Sequence, residues 1–172
     1  MHSSTEQQGL TLIELLVVIV ILGILAATAA TNFMNISSDA RVSVLKAMGG
    51  SILSAANQVH TKSIINMVAQ EPLANLDLDE DGNDDVEIKY GYPSASRNNG
   101  ISKIMEGNFA TEWSWSTTYL DKQFWLTTAI LAGRSGVYVN QTAVLNSGCY
   151  LIYNPVASLG GAPLISYVTN DC

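Results

Sequence analysis

An α+β fold, one long N-terminal helix whose second half packs on a small antiparallel β-sheet head, is predicted by three observations on this 172-residue chain. The N-terminal segment is almost uninterruptedly apolar. The segment after it becomes amphipathic at helical spacing. The last third holds short runs rich in aromatic and β-branched residues, bounded by Gly, Asn or Pro. Hydrophobic residues make up 48% of the sequence, so the length fits one globular core behind the apolar segment.

The first element is the apolar helix. From Leu15 to Ala30 there are 16 residues with no charge and only Thr28 polar, and extension back to Leu10 gives 21, a bilayer-crossing length. Glu14 is the anomaly, because a carboxylate inside a membrane segment costs about 2.5 to 3.5 kcal/mol on insertion scales and is usually paired or functional. A secretory signal cleaved at Ala27-Thr28-Ala29 leaves Glu14 unexplained, as does a permanent anchor. A buried globular helix would not be so long and so uniformly apolar.

Beyond Ala30 the helix continues with a core-facing stripe: Ile36, Ala40, Val44, Ala47 or Met48, Ile52, Ala55 or Ala56, and Val59, with Asp39, Arg41, Lys46 and Asn57 between them. A single helix from about Leu10 to about Lys62, near 80 Å long, is the expectation. Gly49-Gly50 is its softest point. His60 is expected as an exposed helix-end residue.

Glu71 to Gly100 reads as loop-rich. Strand candidates follow at Gly136 to Asn140, Cys149 to Asn154 and Leu164 to Thr169. Between Ser102 and Gly133 two patterns compete: Trp113 and Trp115 alternate as in a strand, whereas Phe124 to Leu131 has the composition of a short helix. The three tryptophans, Trp113, Trp115 and Trp125, are expected in the core or a subunit contact rather than as a sugar platform.

The acidic stretch "DLDEDGNDD" sets oxygen ligands at the alternate positions Asp77, Asp79, Asp81 and Asn83, with Gly82 supplying the sharp turn and Asp85 at the spacing of a water-linked ligand. This is the first half of a calcium loop, in which hard oxygens converge on a cation that prefers six to eight of them, and a structural Ca²⁺ is the expected cofactor. The bidentate Glu of such loops is missing: Ile88 stands at that place and Glu87 is one position early. The alternative is a solvated acidic turn. Seven of the 15 acids lie between Asp77 and Glu87, so the net charge of −7 has a local cause.

Two cysteines, Cys149 and Cys172, stand near the C-terminus. An even count behind an export-like segment reads as one disulfide formed in an oxidising compartment, the alternative being two buried free thiols. The eight basic residues are scattered singly, which excludes nucleic acid as an expected partner. An enzyme is not expected. There are two histidines, one of them in the first nine residues, and no Gly-x-Ser-x-Gly, phosphate-loop or dinucleotide-fold spacing; Glu106 and Glu112 read as solvated acids.

The stretch "GLTLIELLVVIVILGILAATAA" resembles the N-terminus of type IV pilins and pseudopilins. The resemblance implies a leader, residues 1–9, ending at Gly9 and removed by a prepilin peptidase, which methylates the new amine on Leu10. It also implies that Glu14 is the carboxylate used in filament assembly, that residues 10–31 form the transmembrane and filament-core helix, and that residues 32–172 form a globular head. The implied fold is the pilin ladle, with the apolar half of the helix protruding. An amine and a carboxylate from neighbouring chains can compensate each other where water is excluded, and such a pair sets register more than it adds stability.

Further along, "YGYPSASRNNGI" after the acidic loop, and "GCYLIYN" ahead of Cys172, resemble the mannose-sensitive hemagglutinin pilins. That resemblance implies a self-polymerising subunit, handled by the pilus assembly machinery, single-pass in a bacterial inner membrane and then extracellular in a filament for surface attachment and biofilm formation. A pseudopilin of a type II secretion system is the alternative within assembly proteins. A secreted calcium-binding protein or enzyme is the alternative outside them.

Overall fold

The computed structural model describes residues 12–105, 108–137 and 141–172, without the side chains of 30–35 and 119. The chain divides at Asp39–Ala40 into two units, both of which share helix α1 (Leu12–Ile65). Between Leu15 and Ala29 α1 consists of Leu, Ile, Val and Ala apart from Gly23 and Thr28, with no proline. The Thr28 hydroxyl donates back to the carbonyl oxygens of Leu25 (3.0 Å) and Ile24 (3.4 Å), so this polar group is satisfied without leaving the helix.

In the second unit the buried row of α1 is Leu45, Gly49, Ile52, Ala56, Val59 and Ser63, spaced three or four residues apart. The expected stripe is thus corrected in its first half: Ile36, Ala40 and Val44 are exposed, and of the alternatives Ala47 and Met48 it is Met48 that packs on the core. The cause lies at Gly49, where the Tyr167 phenol occupies the space a β-carbon would take. Only a glycine admits that ring against the helix backbone. Turning Gly49 inward brings Leu45 and Ile52 with it and carries Val44 and Ala47 outward. Gly49 is therefore a point of close packing rather than of softness.

The head carries two sheets. The first is three-stranded and antiparallel, from β1 (Ala74–Leu76), β2 (Val86–Lys89) and β3 (Tyr92–Pro93), in that order. It lies within the stretch expected as loop, because strands of two to four residues are too short to show a period. Tyr90 and Gly91 both have positive φ, 48° and 83°, which makes the two-residue hairpin turn between β2 and β3 that matches strand twist.

A 3₁₀ turn (Ile101–Lys103) and α2 (Phe109–Glu112) lead to β4 (Trp113–Thr117). A second 3₁₀ turn (Tyr119–Asp121), β5 (Phe124–Thr128), α3 (Ala129–Ala132), β6 (Gly136–Val137), α4 (Thr142–Leu145), β7 (Tyr150–Asn154) and β8 (Leu164–Val168) complete the described elements. The second sheet has the order β6-β4-β5-β7-β8; β4 and β6 are parallel and the other neighbours antiparallel.

Phe124 to Leu131 is not a helix. Phe124–Thr128 is the central strand, and only Ala129–Ala132 makes a helical turn. Cross-strand pairing overrides local composition here, since Leu126 sits between Trp115 and Leu151 in register. Trp113 and Trp115 are buried, and Trp125, on the opposite sheet face, is half-buried. The strand candidates at Cys149 and Leu164 are found as β7 and β8; of Gly136 to Asn140, residues 138–140 lie outside the described ones.

One core joins Leu45, Ile52 and Ala56 to Trp113, Trp115, Phe124, Leu126, Leu151 and Tyr153. A smaller one joins Val59 to Leu76, Val86 and Ile88 of the first sheet. The buried Tyr153 hydroxyl ties the two sheets by donating to the Pro93 carbonyl oxygen at 2.7 Å, and its burial pushes the phenol far above the usual range. His60 is not an exposed end residue: it is half-buried and its ring stacks on Tyr92 at 4.0 Å between centroids.

The rotation of α1 has a measurable consequence. Ile52→Ala is expected to destabilise the head by about 2 to 5 kcal/mol, and Val44→Ala by no more than about 0.5 kcal/mol, in denaturant unfolding of the full chain. Equal costs would contradict the assigned inward face.

Candidate functional sites

Gly9 and Leu10 lie outside the described residues. Glu14 lies near the beginning of the described part of α1. Leu12–Ala29, which includes Glu14, is the described helical stretch long and apolar enough to cross a membrane, and none of it is buried. Its 18 residues rise about 27 Å, close to a hydrocarbon core. Such a surface needs lipid or other helices around it.

The acidic loop joins β1 to β2, and the first sheet anchors both its ends. Asp77 follows the last residue of β1 and Asp85 precedes the first of β2; the Asp85 N–H donates to the Leu76 carbonyl at 3.0 Å, and the Leu78 N–H to the Asp85 carboxylate at 2.7 Å. Within the loop Asp77 accepts from the N–H groups of Glu80 (2.7 Å) and Gly82 (2.8 Å), and Gly82 turns the chain at φ 91°. The Gly82 N–H holds the Asp77 carboxyl below the usual range despite partial desolvation.

Asp77, Asp79 and Asp85 each place a carboxylate oxygen within 4.8 Å of the others. Oxygens on opposite sides of a calcium ion at 2.3 to 2.6 Å are separated by about 4.6 to 5.2 Å, so these three are close enough to share one. Asp81 is not one of these three carboxylates. One Asp81 oxygen accepts both the main-chain (2.8 Å) and side-chain (3.1 Å) N–H of Asn83. Glu87 is directed elsewhere too, accepting from the Ser94 hydroxyl at 2.5 Å, and Ile88 is core. Glu80 forms an ion pair with Lys62, which ties the loop to the last turn of α1. No sequence signal pointed to this pair, 18 positions apart.

Cys149 and Cys172 form a disulfide with 4.8 Å between their α-carbons. It fastens the C-terminal residues beside β7, helped by the Asp171 N–H donating to the Gly148 carbonyl (3.1 Å) and by Arg41 of α1 donating to the main-chain oxygen of Cys172 (2.8 Å).

Residues 5–30 match the family model of the prokaryotic N-terminal methylation motif. The match spans Gly9, Leu10 and Glu14 and indicates a type IV pilin-like or pseudopilin precursor, a structural protein whose motif implies prepilin peptidase processing and membrane anchoring before assembly. The α+β fold, with its long helix and antiparallel sheet, is consistent with that of type IV pilins. No curated protein and no solved structure matches the chain.

Closing a loop of 23 residues stabilises the head by about 3 kcal/mol on the chain-entropy account. Cys149→Ser/Cys172→Ser is expected to lose roughly that much in denaturant unfolding, and a reducing agent to affect only the parent protein. A double variant as stable as the parent would remove the bridge from the account.

Proposed function

We propose that the chain is the precursor of a type IV pilus subunit of the mannose-sensitive hemagglutinin type. Its leader, residues 1–9, is cut after Gly9; residues 10–31 span the inner membrane and then form the filament core; residues 32–172 form the head. The carrying observation is the match of residues 5–30 to the methylation motif, with Glu14 the one carboxylate in the apolar stretch behind it. The pilus reading over the pseudopilus one is supported by "YGYPSASRNNGI" and "GCYLIYN", which hold the β2–β3 turn with β3, and β7 with its adjoining cysteine.

Cleavage makes an amine at Leu10 that a neighbouring chain's Glu14 compensates where water is excluded. The filament serves attachment to surfaces and biofilm formation. Mass spectrometry of the exported protein is expected to find N-methyl-Leu10 as the first residue. Glu14→Ala is expected to be processed and membrane-held yet to form no long surface filaments by electron microscopy. A mature start near Ala30 would exclude both pilin and pseudopilin, and surface filaments formed by Glu14→Ala would take the carboxylate out of assembly.

The acidic loop is proposed to hold a structural Ca²⁺, supported by the convergence of Asp77, Asp79 and Asp85; water or a neighbouring segment completes the shell. At calcium about a hundredfold above its dissociation constant, the Tm is expected to rise by roughly 5 °C or more, and chelator to reverse this. A Tm indifferent to chelator, or the same calcium response in Asp77→Asn, would refute the site.

A further inference from the structure

In the second unit, Ala55, Val59 and Lys62 of α1 line a cavity of about 400 Å³ together with Leu78 and Ile104. A second hollow, of about 270 Å³, shares Ala55, Gln58 and Ile104 with it and reaches Ser51 and Met105. The two form one groove, which follows α1 from Ser51 to Lys62 over about 16 Å. Its size falls among small-molecule sites, roughly 300 to 1,000 Å³.

The groove arises from what α1 leaves uncovered. Val59 is buried in the small core, and Leu78 and Ile104 pack against that cluster. One turn earlier stands Ala55, whose methyl is too short to fill the space beside Ile104, while its neighbour Ala56 takes the buried position. Ala55, Leu78, Ile104 and Met105 all remain half-buried, so apolar surface stays open along the floor.

The lining selects the class of ligand. None of the lining residues belongs to a strand, and the helix wall pairs its own backbone groups internally, so a peptide laid here would leave N–H and C=O groups short of partners. A hydrocarbon chain needs none. Charge gathers at one end, where Lys62 and Lys103 both line the wider part. Lys62 is engaged by Glu80, whereas Lys103, at an exposed position, makes no ion pair among the described residues. Asp84, Asp85 and Glu87 line a separate hollow on another side of Lys103, so a carboxylate is repelled there and favoured on the groove side. We propose that this groove binds a free fatty acid, with its chain along Ala55, Ile104 and Met105 and its carboxylate at Lys103. The site lies within a single chain and does not rest on the pilus reading.

Photolabelling of the full chain in lipid nanodiscs tests this. The probes are a diazirine-bearing dodecanoate, its methyl ester, and a phospholipid carrying the same chain. Peptide mass spectrometry is expected to find adducts of the acid on Ala55, Gln58, Ile104 or Met105, roughly fivefold or more above those of the ester and the phospholipid. Lys103→Ala, at an exposed position, is expected to keep the parent's Tm and to lower the acid adducts about tenfold. Absence of acid adducts from the groove overturns the proposal. Adducts as strong from the ester or the phospholipid overturn it as well, as do undiminished acid adducts in Lys103→Ala.

Discussion

A carboxylate within an apolar helix must be compensated, and that constraint governs everything proposed for this protein. Glu14 sits near the start of a stretch whose described residues expose leucine, isoleucine and valine side chains throughout. In water the stretch would aggregate, and in lipid the carboxylate would be costly. The proposed cleavage after Gly9 resolves both difficulties together: it creates the one positive charge available at that level of the helix, and it prepares a surface that other helices can cover. Thr28 shows the same economy, satisfying its hydroxyl on its own helix.

The head imposes a second constraint, the rotation of α1 against the five-stranded sheet. Gly49 admits Tyr167, and the inward row from Leu45 to Ser63 follows from that contact. The upper part of this row meets Trp113, Trp115 and Leu126, and the lower part meets the small sheet through Val59. Tyr153 and the Cys149–Cys172 bridge then close the head, one between sheets and the other at the C-terminal residues. The acidic loop is held at both ends by β1 and β2 and braced by Lys62, so its carboxylates converge on a rigid frame.

Much of this was legible in the sequence, and the failures share a cause. The long helix, β4, β7 and β8 carry strong periodic or compositional signals, and the loop acids are spaced for convergence. The rotation of the helix was misread because two adjacent rows, one through Val44 and one through Leu45, both fit helical spacing; only the Tyr167 contact separates them. Phe124 to Thr128 became a strand because Trp115 and Leu151 flank it in register, a long-range fact. Asp81 and Asn83, which stand at ligand spacing, also hydrogen-bond each other, a contact that spacing cannot foretell.

The compensation of Glu14 is most directly tested by the distance between the two charges in an assembled filament. Filaments grown from a mixture of subunits, half carrying ¹⁵N at leucine and half ¹³C at the glutamate carboxyl, report only contacts between chains in solid-state NMR. The account predicts a dipolar contact between the Leu10 amine and the Glu14 carboxyl carbon at about 4 Å, the separation of an ion pair. A filament in which that contact is absent would contradict it.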